Sequence, residues 1–381
     1  MTLAPAIRSM GRTIRKPTYI YDLERLRGRC GAFAALPIPR KRVFFASMAN
    51  DHPGVLGVIK DAGHGIFVNS PRHLQLGLTV GFARDRILYA ASNMTTDEME
   101  LCLGHGIHVV LDSVSQTGQF SRLAPPGTEI GLRVNVGSAL DRSRIRFDPG
   151  YRFGILPEEL PAALSAAAGG GVRIVGIHSY FGTDLLDETI LLDGVRRLGA
   201  IGSELPDLRY IDGGGGFGVP DTPERPEFDL AAYGRGAAEV LADCERRLGR
   251  DLTLYIEPGR YLVADCGFFF AKVVDRKLRA DRVFVGTNAS VSIFPRPLLH
   301  PDTARHPCGA LDGDPGAAHH PQPITLCGNS TYSRDFLARD IRMPLPEVGD
   351  TLVFHNAGAY CRSMITDFLG KDRPEEIFVG G

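Results

Sequence analysis

The amino-acid sequence predicts a (β/α)8 TIM barrel followed by a mostly antiparallel C-terminal β-domain. Three observations carry that prediction. Short apolar, β-like runs recur eight times up to residue 256, most of them separated by stretches with helical spacing. After about residue 265 the texture changes to β-branched and aromatic runs punctuated by Gly and Pro. Two glycine-bearing motifs also stand at the ends of the last two barrel runs, a common place for an anion cup in this architecture.

In chain order, residues 1–16 carry Arg8, Arg12, Arg15 and Lys16 with no apolar run behind them, and are expected to form a loose solvated arm. The barrel is expected over 17–265, with strands at 43–47, 64–68, 86–90, 107–111, 129–134, 173–178, 208–212 and 252–256. Helical spacing marks 54–62, 71–79, 96–103, 157–168 and 229–248 between them. The β-domain is expected over 266–381, with strands at 268–274, 282–285 and 351–355, and the early strand at 18–21 is a candidate to join it. The Gly/Pro/Asp/His-rich stretch 308–323 is expected to be a surface loop.

Composition bounds the function classes. A chain of 381 residues with 44% apolar content is long enough for two domains and is neither disordered nor fibrous. A formal charge of -1, without a basic patch interleaved with aromatics, points away from nucleic acid and membrane surfaces and toward small-molecule or protein partners. Seven cysteines without a CxxC pair fit a reducing cytoplasm. No compact metal-ligand set is legible, because His300, His306, His319 and His320 are spread through a Pro/Gly-rich stretch, and no GxSxG elbow supports a serine nucleophile.

The phosphate argument rests on Asp212-Gly-Gly-Gly-Gly-Phe-Gly218 and Glu257-Pro-Gly-Arg260. Consecutive glycines let backbone N–H groups approach an anion with no side chain in the way, although a glycine run alone is equally a tight turn. Glu257 and Arg260 add a carboxylate and a guanidinium beside the same mouth, and the pair of motifs is far more specific than either alone.

With Pro17-Thr-Tyr-Ile-Tyr-Asp22, Arg152-Phe-Gly154, Arg296-Pro297 and Ala357-Gly-Ala-Tyr360 added, the sequence resembles the fold-type III PLP-dependent decarboxylases, the ornithine/diaminopimelate decarboxylase family with its alanine-racemase-like barrel. The resemblance covers nearly the whole chain. It implies that Gly214, Gly215 and Gly216 hold the phosphate of pyridoxal 5'-phosphate (PLP) with the Tyr360 hydroxyl, that Gly182 and Thr183 match a phosphate-side Gly-Ser, and that Arg260, following Gly259, borders the phosphate. Glu257 would face the pyridine nitrogen, and Arg296 would meet substrate. It further implies a head-to-tail homodimer in which each site borrows residues from its neighbour.

The departures from that family are as informative as the matches. In Arg42-Val-Phe-Phe-Ala-Ser-Met48-Ala-Asn50, Met48 stands where the family's lysine holds PLP as a Schiff base, and a thioether forms no imine. Phe67 replaces an aspartate, His73 a glutamate, Tyr180 the histidine that stacks on the ring, and Thr331 the cysteine that enters the neighbour's site, whereas Ser333 and Asp335 fit. Cys327 lies four residues too early to substitute for that cysteine. A single engineered exchange would leave the other positions intact, so the joint change reads as natural. Lys41, Lys60, Lys272 and Lys277 read as solvated charges rather than relocated imine formers.

Three function classes follow. The first is a decarboxylase-like enzyme acting on an amino-acid-derived substrate with PLP held noncovalently, where Tyr180, His178 and Asp335 are the available proton-transfer groups, with Thr331 at the substrate side. The bland readings are a core histidine, a packing aromatic and a loop cap, respectively. The second is a PLP-independent enzyme using the cup, Arg260 and Arg296 for an anionic substrate. The third is a catalytically inactive regulatory paralogue. Glu257 favours the first, because its carboxylate suits a pyridinium and not a bare anion.

Overall fold

The computed structural model describes residues 3–136, 152–222, 224–313 and 318–380. Two compact units are present: Arg27–Pro220 with Pro226–Tyr261, and Met1–Leu26 with Asp221–Arg225 and Leu262–Gly381. Strand β1 (Thr18–Asp22) belongs to the second unit.

The first unit is a closed barrel of eight strands: β2 (Lys41–Ala46), β3 (Gly65–Val68), β4 (Ile87–Ala90), β5 (His108–Leu111), β6 (Glu129–Arg133), β7 (Arg173–His178), β8 (Tyr210–Asp212) and β9 (Thr253–Ile256). Each pairs in parallel with the next, and β9 closes on β2 through Lys41↔Leu254 to Val43↔Ile256. Every strand falls on a predicted apolar run, with ends displaced by no more than two residues. Near-continuous apolar runs are what strands buried on both faces require. Phe44, Ala46, Phe67, Leu88, Ala90 and Val110 form one buried cluster of this unit.

The predicted helices are found at Pro53–Asp61, Pro71–Val80, Thr96–His105, Leu160–Gly169 and Leu230–Leu248. Helices at Leu23–Ala34, Val114–Leu123 and Glu188–Ile201 were not expected. Val114–Leu123 is rich in Ser, Thr, Gly and Gln, residues that carry little helical signal by themselves, but Ser113 caps it by accepting from the Gln116 N–H at 3.1 Å.

At the strands' N-terminal end the barrel is plugged by Tyr210. Its ring stacks on Tyr255 at 4.1 Å and 6°, and its hydroxyl meets His108 Nε2 at 2.8 Å. The ring lies across β6 and β7 where Gly131 and Gly176 leave room, and a Cβ on either would overlap it. Burial holds the His108 imidazole down to about 4, so it is neutral at physiological pH.

The second unit is an eight-stranded sheet. Its path runs β12 (Cys308–Ala310), β15 (Thr351–Phe354), β10 (Gly267–Leu278), β11 (Val283–Thr287), β13 (Ile324–Cys327), β14 (Phe336–Ile341), with β1 paired to β10 and to β16 (Glu375–Val379). Most pairings are antiparallel, and β11–β13 and β1–β16 are parallel. Among the described residues, no helix is long and apolar enough to cross a membrane.

Two expectations need correction. Residues 1–16 are not a loose arm: Pro5–Thr13 is a helix, and Leu3, Ile7 and Ile14 are buried against Ile20, Phe268, Phe270, Leu311 and Val353. The arginines are spaced to stay outside, Arg12 meeting Asp312 at 2.7 Å, and so masked the buried face. The stretch 308–323 is not loop throughout either, because Cys308–Ala310 pairs with β15; residues 314–317 lie outside those described.

Gly176→Ala should destabilise the barrel by on the order of 1–3 kcal/mol through overpacking against Tyr210. Gly28→Ala, at a helical position where an added Cβ meets nothing within 4 Å, should stabilise it by roughly 0.4–1 kcal/mol; urea denaturation of both variants checks the two signs. The depressed His108 pKa gives a pH dependence. Between its unfolded value of about 6.5 and its folded value of about 4, the unfolded chain takes up a proton that the folded barrel refuses. Stability should therefore fall as pH drops through that window, and His108→Gln should remove this residue's share of the slope in a Tm–pH series.

Candidate active site

The barrel mouth is built by the loops after β7, β8 and β9, which are stitched together by backbone. Ser179 N–H donates to the Asp212 carbonyl at 3.2 Å, Gly213 N–H to Tyr255 at 3.0 Å, Glu257 N–H to Gly214 at 2.8 Å and Leu185 N–H to Gly216 at 2.8 Å. This stitching explains the glycine run. A Cβ on Gly214 would sit 2.5 Å from the Ser179 carbonyl oxygen and one on Gly215 2.5 Å from that of Glu257, while one on Gly216 would collide with Gly182. Gly214 and Gly216 also have left-handed φ of 61° and 97°. The run is thus more than a tight turn, since three loops converge on it.

At the base of this mouth stand His178, the last residue of β7, Asp212, the last of β8, and Glu257, which follows β9. His178 and Asp212 are register partners on adjacent strands. His178 Nε2 lies 3.5 Å from Glu257 Oε2, and one ligand-capable atom from each of the three residues lies within 4.8 Å of the others. All three are buried, yet both His178 ring nitrogens, Asp212 Oδ2 and Glu257 Oε1 have no hydrogen-bond partner among the described residues. Asp212 Oδ1 is occupied by the Gly214 N–H at 2.9 Å.

Burial sets the electrostatics. It pushes the Glu257 carboxyl up to about 7 and Asp212 well above the usual carboxylate range, with Glu257 adding to the latter, and holds His178 down to about 4. Two facing carboxyls can hydrogen-bond only when one carries a proton, and the raised values favour that state. The nearby cation is Arg133, whose Nη1 is 3.8 Å from Asp112 Oδ1 and whose guanidinium lies 4.5 Å over the Phe153 ring. In Arg152-Phe-Gly154, Arg152 also covers that ring at 4.1 Å, and Gly154 N–H donates to Asp112 at 2.9 Å.

Of the other predicted site residues, the Tyr180 hydroxyl and Thr183 Oγ1 are 2.6 Å apart, and Arg260 Nε is 3.6 Å from Asp184 Oδ1. Gly259 lies in the loop that starts at Glu257 and leads into Arg260. Met48 sits in the 3-10 turn Ser47–Ala49 that ends β2 and packs on the Phe44, Ala46, Phe67 cluster, with Phe67 ring 6.4 Å from the His178 ring. Ser47 alternates to the other face, where its Oγ meets His73 Nδ1 at 3.1 Å; that nitrogen also meets Asn69 Oδ1 at 3.2 Å, and His73 Nε2 is 3.8 Å from Asp51. Ser47 is fully buried, so this Ser-His-Asp grouping ties the Met48 turn to the next loop and offers no exposed nucleophile.

Four predicted residues belong to the β unit. Asp335 is buried and both its oxygens are taken, Oδ1 by Val291 N–H at 2.8 Å and Oδ2 by Ser330 N–H at 3.1 Å, an arrangement that organises its loop. Thr331 is exposed. Arg296 is buried at the start of the short helix Arg296–Leu299, and Tyr360 has a left-handed φ of 55°.

Asp212, Asp112, Arg133 and Asp184 were not picked out as site residues. The usable signal for Asp212 was its place as the last strand residue before the glycines, and Arg133 likewise ends its strand. Nor did spacing reveal a ligand set, because His178, Asp212 and Glu257 are 34 and 45 residues apart and only the barrel closes that distance (212 − 178 = 34; 257 − 212 = 45).

The fold and this mouth define a (β/α)8 barrel with a glycine-lined strand-end site and an accompanying β unit. Residues 23–264 match the model of the pyridoxal-binding domain of pyridoxal-dependent decarboxylases. The chain is 31% identical to a diaminopimelate decarboxylase of Methanothermobacter thermautotrophicus, over 95% of this chain and 86% of that one, and 28% identical to a diaminopimelate decarboxylase of Thermoplasma acidophilum, over 98% and 90%. In structure it is similar to the diaminopimelate decarboxylase of Helicobacter pylori complexed with L-lysine, with a TM-score of 0.86, 23% identity and coverage of 98% of this chain and 94% of that one. The protein belongs to the pyridoxal-dependent decarboxylase family.

Proposed function

We propose that the protein is an amino-acid decarboxylase-like enzyme that holds PLP noncovalently, Met48 standing at the position of the family's Schiff-base lysine. The observation that carries this reading is the pairing of a glycine-lined loop with Glu257, a buried carboxylate whose Oε1 has no partner. The donor set fits the group: backbone N–H groups for a phosphate, and a bare carboxylate oxygen for a pyridinium N–H.

Gly215, Gly216 and Thr183 would receive the phosphate, with Arg260 beside it as held by Asp184; the Gly214 N–H is committed to Asp212 Oδ1, so Gly214 would shape the loop and not donate to the anion. Glu257 would accept the ring N–H and, in giving up its own proton to that role, would hold positive charge on the ring. PLP supplies the electron sink for the carbanion left on loss of CO2. Tyr180, through the hydroxyl shared with Thr183, is the group positioned to move a proton, and Met48 and Phe67 keep the inner wall dry.

The lysines of the barrel unit support a noncovalent mode. Lys41 begins β2, some 20 Å of strand before Met48, and its Nζ donates to the Leu36 carbonyl at 2.7 Å. Lys60 Nζ donates to Val80 at 3.3 Å from the helical layer. As in the family's head-to-tail arrangement, we infer a homodimer in which Thr331 approaches the neighbour's mouth, with Asp335 holding the loop that carries it.

Titration of purified protein with PLP should give saturable binding with the spectrum of the free aldehyde, and borohydride reduction should leave the intact mass unchanged. Absence of binding would remove the cofactor from the reading, and a reduced adduct would assign the role to another lysine. In Met48→Lys the same reduction should add one pyridoxyl phosphate per chain. A wild-type amino-acid screen for CO2 release then tests the chemistry.

A further inference from the structure

We propose that His178, Asp212 and Glu257 form a site for one divalent transition-metal ion in the PLP-free protein, so that the ion and the PLP ring are alternative occupants of the barrel mouth. The inference stands on the cluster's own geometry and does not require PLP to bind.

The three donors stand at the ends of paired barrel strands. His178 and Asp212 end adjacent strands in register, and Glu257 follows the strand next to them. Asp212 is further fixed by the Gly214 N–H on Oδ1, which leaves Oδ2 directed at the cluster. With exposures of 2%, 0% and 5%, none of the three can satisfy its unpartnered atoms with bulk water. Buried polar atoms without partners are uncommon in folded proteins and mark an absent ligand or water more often than a tolerated loss.

What would satisfy them decides the ligand class. A pyridinium N–H donates to one oxygen and leaves the imidazole with no partner. A divalent cation accepts electron pairs from the imidazole and both carboxylates at once. The distances allow it: three donors no more than 4.8 Å apart lie within 4.8/√3, or about 2.8 Å, of a common point, so side-chain closures of at most roughly 0.6–0.8 Å reach the ~2.0–2.2 Å of zinc–nitrogen and zinc–oxygen bonds. One nitrogen and two carboxylate oxygens suit Zn2+, Co2+ or Mn2+. They do not suit Ca2+, which takes six to eight oxygens. The fourth position would face the mouth and take water or an anion lodged on the glycine loop.

The test uses the full-length, tag-free protein after metal stripping. Calorimetric titration with Zn2+, repeated with Co2+ by visible absorption, should give one ion per chain, weakened at least tenfold in Asp212→Asn and in His178→Gln, each first shown to be folded by circular dichroism and thermal melting. Should either variant not fold, X-ray absorption of the wild-type zinc form gives the answer: a nitrogen/oxygen shell with a single imidazole supports the site. No binding overturns the proposal. So does unchanged binding in the variants, which would place the ion on the His300–His320 stretch, or a sulfur-containing or multi-imidazole shell. Saturating Zn2+ should also raise the apparent Kd of PLP at least tenfold, and an unchanged value overturns the shared occupancy. If zinc-free protein binds no PLP, the cofactor reading fails by itself and the metal titration still decides this one.

Discussion

The close approach of the loops after β7, β8 and β9 at Gly214–Gly216 is the constraint on which the rest of the site depends. Backbone carbonyls of Ser179, Gly182 and Glu257 occupy the space where side-chain carbons would be. Because the loops touch through backbone, their relative positions vary little with side-chain identity, and the strand-end residues they flank are fixed with them. The same convergence gathers N–H groups at one place and sets His178, Asp212 and Glu257 within reach of one another. One packing requirement therefore produces both the glycine-lined loop and the buried acid pair.

The two ends of the barrel treat their polar groups in opposite ways. At the N-terminal end, His108 is neutral by burial and is satisfied by Tyr210, whose ring is in turn accommodated by two glycines. At the C-terminal end, His178 is neutral for the same reason, but neither nitrogen has a partner and two carboxyls face it. Both imidazoles are held neutral by burial but only one is satisfied, and that difference separates the plug from the cluster at the other end. A fold that can close a histidine–tyrosine pair at one end has no general difficulty in satisfying buried polar atoms, so the unsatisfied set at the other end reflects what the mouth is shaped to receive.

Much of the fold was legible because parallel barrel strands buried on both faces leave largely apolar runs, and all eight strands fell on one. The helix Pro5–Thr13 was not, because its arginines dominate a short segment whose buried side needs only Ile7 and Gly11. Of the site, the glycine loop, Glu257 and Met48 were visible as motifs or as departures from a resemblance. The proximity of His178 to Asp212 was not, since strand register is a property of the closed barrel and leaves no mark in spacing. The tie from Ser47 to His73 escaped for the same reason, as it joins two different βα loops.

Met48 and Phe67 show why one side of the barrel carries no charge. Both lie on the same apolar wall with Phe44, Leu88 and Val110. An ammonium placed there opposite a carboxylate at position 67 would be a buried ion pair, and such a pair depends on both partners, since losing either leaves an uncompensated charge that costs several kcal/mol. Two apolar side chains on that wall fill the volume without any charge to satisfy. The wall contributes packing, and the unsatisfied polar atoms gather on His178, Asp212 and Glu257, with the His178 ring 6.4 Å from that of Phe67.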